Sequence, residues 1–139
     1  MYPEKYVGDV KNIFYRSGWE MQFMKWADAS PGVLHWNNEE LVVPYISPKD
    51  NKWHRYFVDF VIKVQTRDGN VKTYAVEIKP HAQTLPPKQV KAKTAKTQMR
   101  LIESTITYAV NQAKWNAASA FCNARGIEFL VITEKHMNI

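Results

Sequence analysis

The sequence predicts an α/β fold with element order α-β-β-β-α-β, a central mixed sheet flanked by helices, in one domain spanning residues 1–139. Three observations carry this. Two runs rich in β-branched and aromatic residues, 56–64 and 71–78, flank Arg67-Asp68-Gly69-Asn70, and Asp-Gly between such runs is a strong hairpin signal. A helical pattern over 101–125 leads into a continuous apolar strand at 127–133, so the last strand arrives by a helical crossover, the connection a parallel pair needs. Ahead of the hairpin, Ser17-Gly18-Trp19-Glu20 matches the S-x-x-E capping box that starts a helix. The hairpin excludes a helical bundle, and the missing glycine-rich loop excludes a Rossmann-type domain.

In chain order, Tyr6, Val10, Ile13 and Phe14 follow helical spacing and predict a short helix within residues 1–16. The capped helix follows, with Trp19, Phe23 and Trp26 as its apolar stripe, and Pro31-Gly32 stop it. Residues 33–36 are a short apolar segment. Residues 41–46 read as a strand at a sheet edge, because Pro44 cannot donate to a ladder. Turn chemistry over 47–52 delivers the chain into the hairpin. After Lys79 comes a stiff, proline-rich loop, then the basic stretch Lys88, Lys91, Lys93, Lys96 and Arg100. In the long helix, Ile102, Ile106, Ala109 or Val110, Ala113, Ala117 and Phe121 recur at helical spacing, and Arg125-Gly126 reads as its stop. The closing strand has the composition of one buried on both faces.

At 139 residues and 45% hydrophobic, the chain is large enough for one real core. Its formal net charge of +6 favours a polyanionic partner bound in a salt-dependent way. A single cysteine, Cys122, excludes an intramolecular disulfide framework and fits a reducing compartment. The four histidines lack zinc-ligand spacing. No signal peptide or long apolar run is evident, so no membrane partner is expected.

The chemistry-bearing constellation is Asp59 in the first hairpin strand and Glu77-Ile78-Lys79 closing the second. Side chains alternate along a strand, so Glu77 and Lys79 share a face while Ile78 points into the opposite layer. Three charged groups converging on an apolar hairpin are costly unless they are paired or hold a metal. Asp followed across a hairpin by Glu-x-Lys resembles the PD-(D/E)XK nuclease superfamily, whose core has the element order read above. Where that superfamily commonly reads Pro-Asp, this chain has Val58-Asp59, a departure that touches packing and removes no carboxylate.

The match extends further. The run from Tyr15 to Glu20, Asp28, Trp36, Glu39-Glu40, Val43-Pro44-Tyr45, Pro48, the run from His54 to Phe60, Glu77-Ile78-Lys79-Pro80, Gln83-Thr84, Pro86-Pro87-Lys88, Tyr108 to Asn111, Lys114, the run from Phe121 to Gly126 and Thr133-Glu134 resemble the head completion proteins of T-even-type tailed phages. Over the catalytic core alone, the chain is also similar to the nuclease subunit of heteromeric bacterial transposases.

The resemblance implies a DNA endonuclease that acts on the packaged genome or its end before tail joining. Its partners would be double-stranded DNA and the portal or neck proteins, with residence in the virion head or neck and in the host cytoplasm during assembly. Asp59, Glu77 and the Ile78 backbone carbonyl would hold Mg²⁺, with Mn²⁺ substituting. Lys79 would orient the attacking water and stabilise negative charge. Glu20, on its residues alone a helix cap, becomes a further site residue and candidate metal ligand, because the superfamily carries an acidic residue on its first helix. Lys88, Lys91, Lys93, Lys96, Arg100 and Lys114 would contact DNA phosphates. Two alternatives stay open: a structural plug that binds the DNA end without cutting it, and a junction resolvase or restriction-type enzyme of the same fold.

Overall fold

The computed structural model describes residues 2–13, 17–88 and 94–137. Ser17 starts helix α1 (Gly18–Ala29), its hydroxyl accepting from the Glu20 backbone N–H and donating to the Glu20 carboxylate at 3.0 Å. At the other end, the Lys5 ammonium donates to the Asp28 and Ser30 carbonyls, satisfying groups the last helical turn leaves orphaned. Five strands follow: β1 (Val33–Asn38), β2 (Val42–Ile46), β3 (Trp53–Phe57), β4 (Phe60–Gln65) and β5 (Val71–Ile78). Helix α2 (Ala95–Asn123) then crosses over to β6 (Ile127–Ile132).

The strands form two sheets. The main sheet has the order β1-β4-β5-β6, with antiparallel neighbours except for the parallel β5–β6 pair that closes the crossover. Its members, taken with the helices in chain order, read α-β-β-β-α-β. The first core strand, however, is β1 and not the 41–46 run. That run, as β2, pairs only with β3 in a separate antiparallel ribbon. The 56–64 stretch is accordingly two strands, broken at Val58-Asp59 where the chain leaves the ribbon and enters the main sheet.

Each face of the main sheet has its own core. Towards α1, Phe60, Ile62, Val76 and Ile78 pack with Phe23, Met24, Ala27, Val33, Trp36 and Tyr6, and the Phe23 and Phe60 rings lie 4.6 Å apart. Towards α2, Ala75 and Val58 pack with Tyr56, Val43 and Tyr45 of the ribbon and with Trp115, Ala118 and Cys122 of the helix.

Several local expectations are corrected. Among the described residues, the N-terminal segment forms a 3-10 turn at Val10–Asn12 and no α-helix, and Tyr6 instead bridges to Trp36 of β1; Phe14 lies outside the described residues. In α1, Trp26 is half exposed, and Met24 and Ala27 take the inward positions with Phe23. Helix α2 starts six residues earlier than its apolar period indicates, and Ile102 and Ile106 are exposed. Its buried stripe is Asn111, Trp115, Ala118 and Cys122, because among the described residues its C-terminal half is the part packed on the ribbon and the main sheet. Strand β6 is a sheet edge with Glu128 exposed, so its apolar run is half-buried.

Candidate active site

The break between β3 and β4 makes the site. The Val58 backbone N–H donates to the Leu41 carbonyl at 3.0 Å, a bond that proline at this position would forfeit. The Asp59 carbonyl is clamped by the Glu39 backbone N–H at 3.0 Å and by the side-chain amide of Asn38 at 3.1 Å. With the backbone pinned, Phe60 pairs with Val76 in the β4–β5 ladder and the Asp59 side chain turns to the end of β5. There its Oδ2 accepts from the Ile78 backbone N–H at 2.8 Å.

Alternation along β5 does the rest. Val76 and Ile78 enter the core under α1 while Ala75 faces α2, so Glu77 emerges on the Ala75 face. Its Oε2 accepts from the Tyr56 hydroxyl at 2.6 Å, and its Oε1 lies 3.8 Å from Lys79 Nζ. Lys79 is held by two ties: its backbone N–H donates to the Ile132 carbonyl, and the His81 backbone N–H two residues on donates to the Glu134 carboxylate. Within an extended residue the N–H and carbonyl share an edge, so the Ile78 carbonyl faces the Asp59 side and not β6.

Glu20, Arg55, Tyr56, Phe57, Asp59, Glu77, Ile78, Lys79 and Lys114 line one cavity of about 280 Å³. Lys114 reaches it from α2 and sits over the rings of Tyr45 and Tyr56, 5.9 Å and 5.6 Å from their centroids. The acidic members are deeply placed: Glu20, Asp59 and Glu77 are all buried. Burial first, then the charges of Glu77 and Glu20, push Asp59 up to about 8, against the opposing pull of the Ile78 N–H and Lys79. Burial also raises Glu77, with the Tyr56 hydroxyl and Lys79 opposing. Tyr56 is held far above its ordinary value by burial and by Glu77, so it remains a hydrogen-bond donor.

This donor set suits a hard divalent cation. Two adjacent oxygen ligands, each driven towards protonation, face a cavity open enough for water and phosphate oxygens. Mg²⁺ is usually held by one or two carboxylates with the remaining positions left to water and substrate. Among the described residues no group of three His, Cys, Asp or Glu side chains is placed to hold a metal ion, so what the geometry offers a cation is the Asp59–Glu77 pair and not a three-carboxylate cluster with Glu20.

The structure therefore brings Glu20, Asp59, Glu77, Ile78, Lys79 and Lys114 together. Lys88, Lys96 and Arg100 are exposed and lie apart from this cavity; Lys91 and Lys93 lie outside the described residues. Arg100 and Asn111 belong to a second groove of about 560 Å³ between the 82–87 loop and α2, and Asn111 is one helical turn from Lys114. Sequence reasoning did not single out Tyr56, Arg55, Phe57 or Asn38. The only signal for Tyr56 was an aromatic inside a β-pattern, since β3 and β5 share no ladder. Trp115 stands behind Tyr56 and draws its hydroxyl pKa down slightly, although the buried indole N–H makes no hydrogen bond of normal geometry.

Comparison with known proteins agrees with this architecture. The family model for the TnsA-like endonuclease N-terminal domain matches residues 30–134. The head completion nuclease of Enterobacteria phage T4 is 38% identical over 130 residues, covering 94% of this chain and 84% of that protein. No solved structure matches at comparable stringency. Both resemblances read from the sequence are borne out. The matched segment runs from β1 to just beyond β6 and contains the clamped Asp59, the β5 carboxylate and the crossover helix: the chain belongs to the TnsA-like endonuclease N-terminal family and has its restriction-endonuclease-like fold.

Proposed function

We propose that this protein is a metal-dependent DNA endonuclease of phage head completion, hydrolysing phosphodiester bonds of the packaged genome or its end before tail attachment. The observation that carries the chemistry is the buried Asp59–Glu77 pair, both raised in pKa by burial, with the charge of Glu77 adding to the rise at Asp59, and flanked by Lys79. Structural carboxylates at such depth are normally neutralised by a full ion pair; these two face an open cavity instead. The head-completion setting rests on the likeness to the phage T4 protein, and with it the expectation of portal or neck partners and residence in the virion.

Asp59, Glu77 and the Ile78 carbonyl would hold Mg²⁺, with Mn²⁺ able to substitute, and Glu20 lines the same cavity as a candidate further ligand. When bound, the ion neutralises phosphate charge and acidifies water. The protein's own groups supply the remainder. Tyr56 fixes the Glu77 carboxylate by donating to one oxygen, leaving the other directed to Lys79. Lys79, partly exposed at the cavity wall, orients the attacking water and offsets the negative charge that develops on the phosphate. Lys114, which lines the same cavity from α2, is a point charge for a neighbouring phosphate. Lys88, Lys96 and Arg100, with Lys91 and Lys93, would follow double-stranded DNA away from the site.

Nicking of supercoiled plasmid in Mg²⁺ or Mn²⁺ against EDTA tests the reading. Asp59→Asn and Lys79→Ala should each lower the nicking rate by roughly 10²–10³-fold while the fold persists by circular dichroism. Wild-type rates in both variants would assign the chemistry elsewhere. Loss of nicking with a normal yield of infectious particles would make the virion role structural.

A further inference from the structure

Among the described residues, the β2–β3 ribbon has an outer face that neither core covers. Cross-strand register pairs Ile46 with Trp53, Pro44 with Arg55 and Val42 with Phe57, and alternation puts these six side chains on one side of the ribbon while Val43, Tyr45 and Tyr56 fill the core on the other. Trp53 is 70% exposed, Ile46 51% and Phe57 43%. Trp53, Arg55 and Phe57 thus stand at every second position of β3, about 7 Å apart by strand rise. The Arg55 guanidinium lies over the Phe57 ring, 5.6 Å from its centroid.

The active-site cavity reaches this face at the edge of β3, where Arg55 and Phe57 line it together with Tyr56 from the opposite face. An exposed apolar face alone would not name its occupant. Here the row of aromatics is interrupted by a cation, ends at a cavity edged by Lys79 and Lys114, and belongs to a chain of net charge +6. Aromatic rings spaced along a basic strand surface bind unpaired bases by stacking on every base's π-face while cations track the phosphates. A paired duplex keeps its bases stacked inside and cannot use such rings.

We propose that the outer face of the β2–β3 ribbon is a stacking platform for unpaired nucleotides of the DNA substrate, with Phe57 and Arg55 receiving the base next to the scissile phosphate and Trp53 a base farther along the strand. The inference rests on the nuclease reading for its DNA partner and gives that site a substrate preference: DNA with a single-stranded tail or flap beside the point of cleavage.

Binding in EDTA separates this from catalysis. Anisotropy would be measured with a labelled blunt duplex and with the same duplex carrying a single-stranded tail. Wild type should bind the tailed duplex more tightly. Trp53→Ala should weaken tailed-duplex binding by between about fivefold and a hundredfold and leave blunt-duplex affinity unchanged, and Phe57→Ala, at the cavity wall, should weaken tailed-duplex binding over the same range. Trp53 is the more exposed, so Trp53→Ala carries the test should Phe57→Ala fail to fold. Equal wild-type affinity for the two DNAs, or a Trp53→Ala variant with unchanged tail affinity, overturns the platform. If that variant keeps its DNA affinity but loses self-association in sedimentation, the face is a protein contact and the proposal is wrong. Since no nicking is read, a protein that never cuts still answers the question, and a cutting protein without tail preference retires the platform alone.

Discussion

Val76 and Glu77 are adjacent in β5, almost equally buried, and opposite in what burial does to them. Val76 is fully covered by the layer under α1, where Phe60, Phe23 and Ile78 close around it. Glu77, 5% exposed, faces the other layer beside Asp59. Removing apolar surface from water stabilises the first layer at about 25 cal/mol per Å². The same dehydration acts against the charged form in the second, visible as raised pKa values on both carboxylates. One face of the sheet is thus committed to holding the fold, and the end of the other is kept electrostatically unsatisfied in a way that a cation and a phosphate can relieve.

The comparison can be broken most forcefully from the apolar side. Phe60→Ala should cost about 3–5 kcal/mol, the range for emptying a fully buried aromatic site, read as a lower urea midpoint with unchanged slope. A variant as stable as wild type would show that the α1 layer is not the core. By contrast, Asp59→Asn, at the residue immediately before it, should leave metal-free stability unchanged or higher, since it removes a charge that burial disfavours.

Tyr56→Phe is intermediate and sharpens the contrast. It keeps the ring that packs with Val43 and Trp115 but deletes the 2.6 Å bond to Glu77. If Glu77 holds the metal as proposed, nicking should fall about 10–100-fold, the usual consequence of losing a partner that orients a metal ligand, with the Mg²⁺ concentration for half-maximal rate rising. An unchanged metal requirement would reduce Tyr56 to packing.

A last test is pH dependence. Asp59 titrates near 3.8 in its ordinary state and near 8 when folded, so the unfolded chain loses its proton first as pH rises. The stability associated with the neutral carboxyl is present below about pH 4 and is lost as pH climbs towards 8. In EDTA, the stability difference between Asp59→Asn and wild type should therefore widen across that interval, by urea melts at several pH values, and added Mg²⁺ should narrow it. A difference independent of pH would mean that Asp59 is not charged at a cost in the folded protein.

What the chain determined by itself was local and periodic. Ser17 and Glu20 in a capping box, Asp68-Gly69 between two β-patterned runs, and alternation of Glu77, Ile78 and Lys79 all depend on neighbours within a few residues, and each appears where the pattern placed it. The carboxylates and the lysine were legible for the same reason: a charge inside an apolar run stands out without knowledge of its partners.

Tertiary structure decided the rest. Nothing local says that residues 56–64 change sheets at Val58-Asp59, because the β-pattern continues through the break; the clamp comes from Asn38, Glu39 and Leu41, about twenty residues earlier. The inward stripe of α2 was misplaced along its N-terminal half, since Ile102 and Ile106 keep helical period with no sheet beneath them. Tyr56 could not be matched to Glu77 from periodicity, as the two strands belong to different sheets and meet only when the ribbon folds over the end of β5. Periodicity specifies which side of an element faces inward, whereas which element lies opposite is set by packing between distant segments.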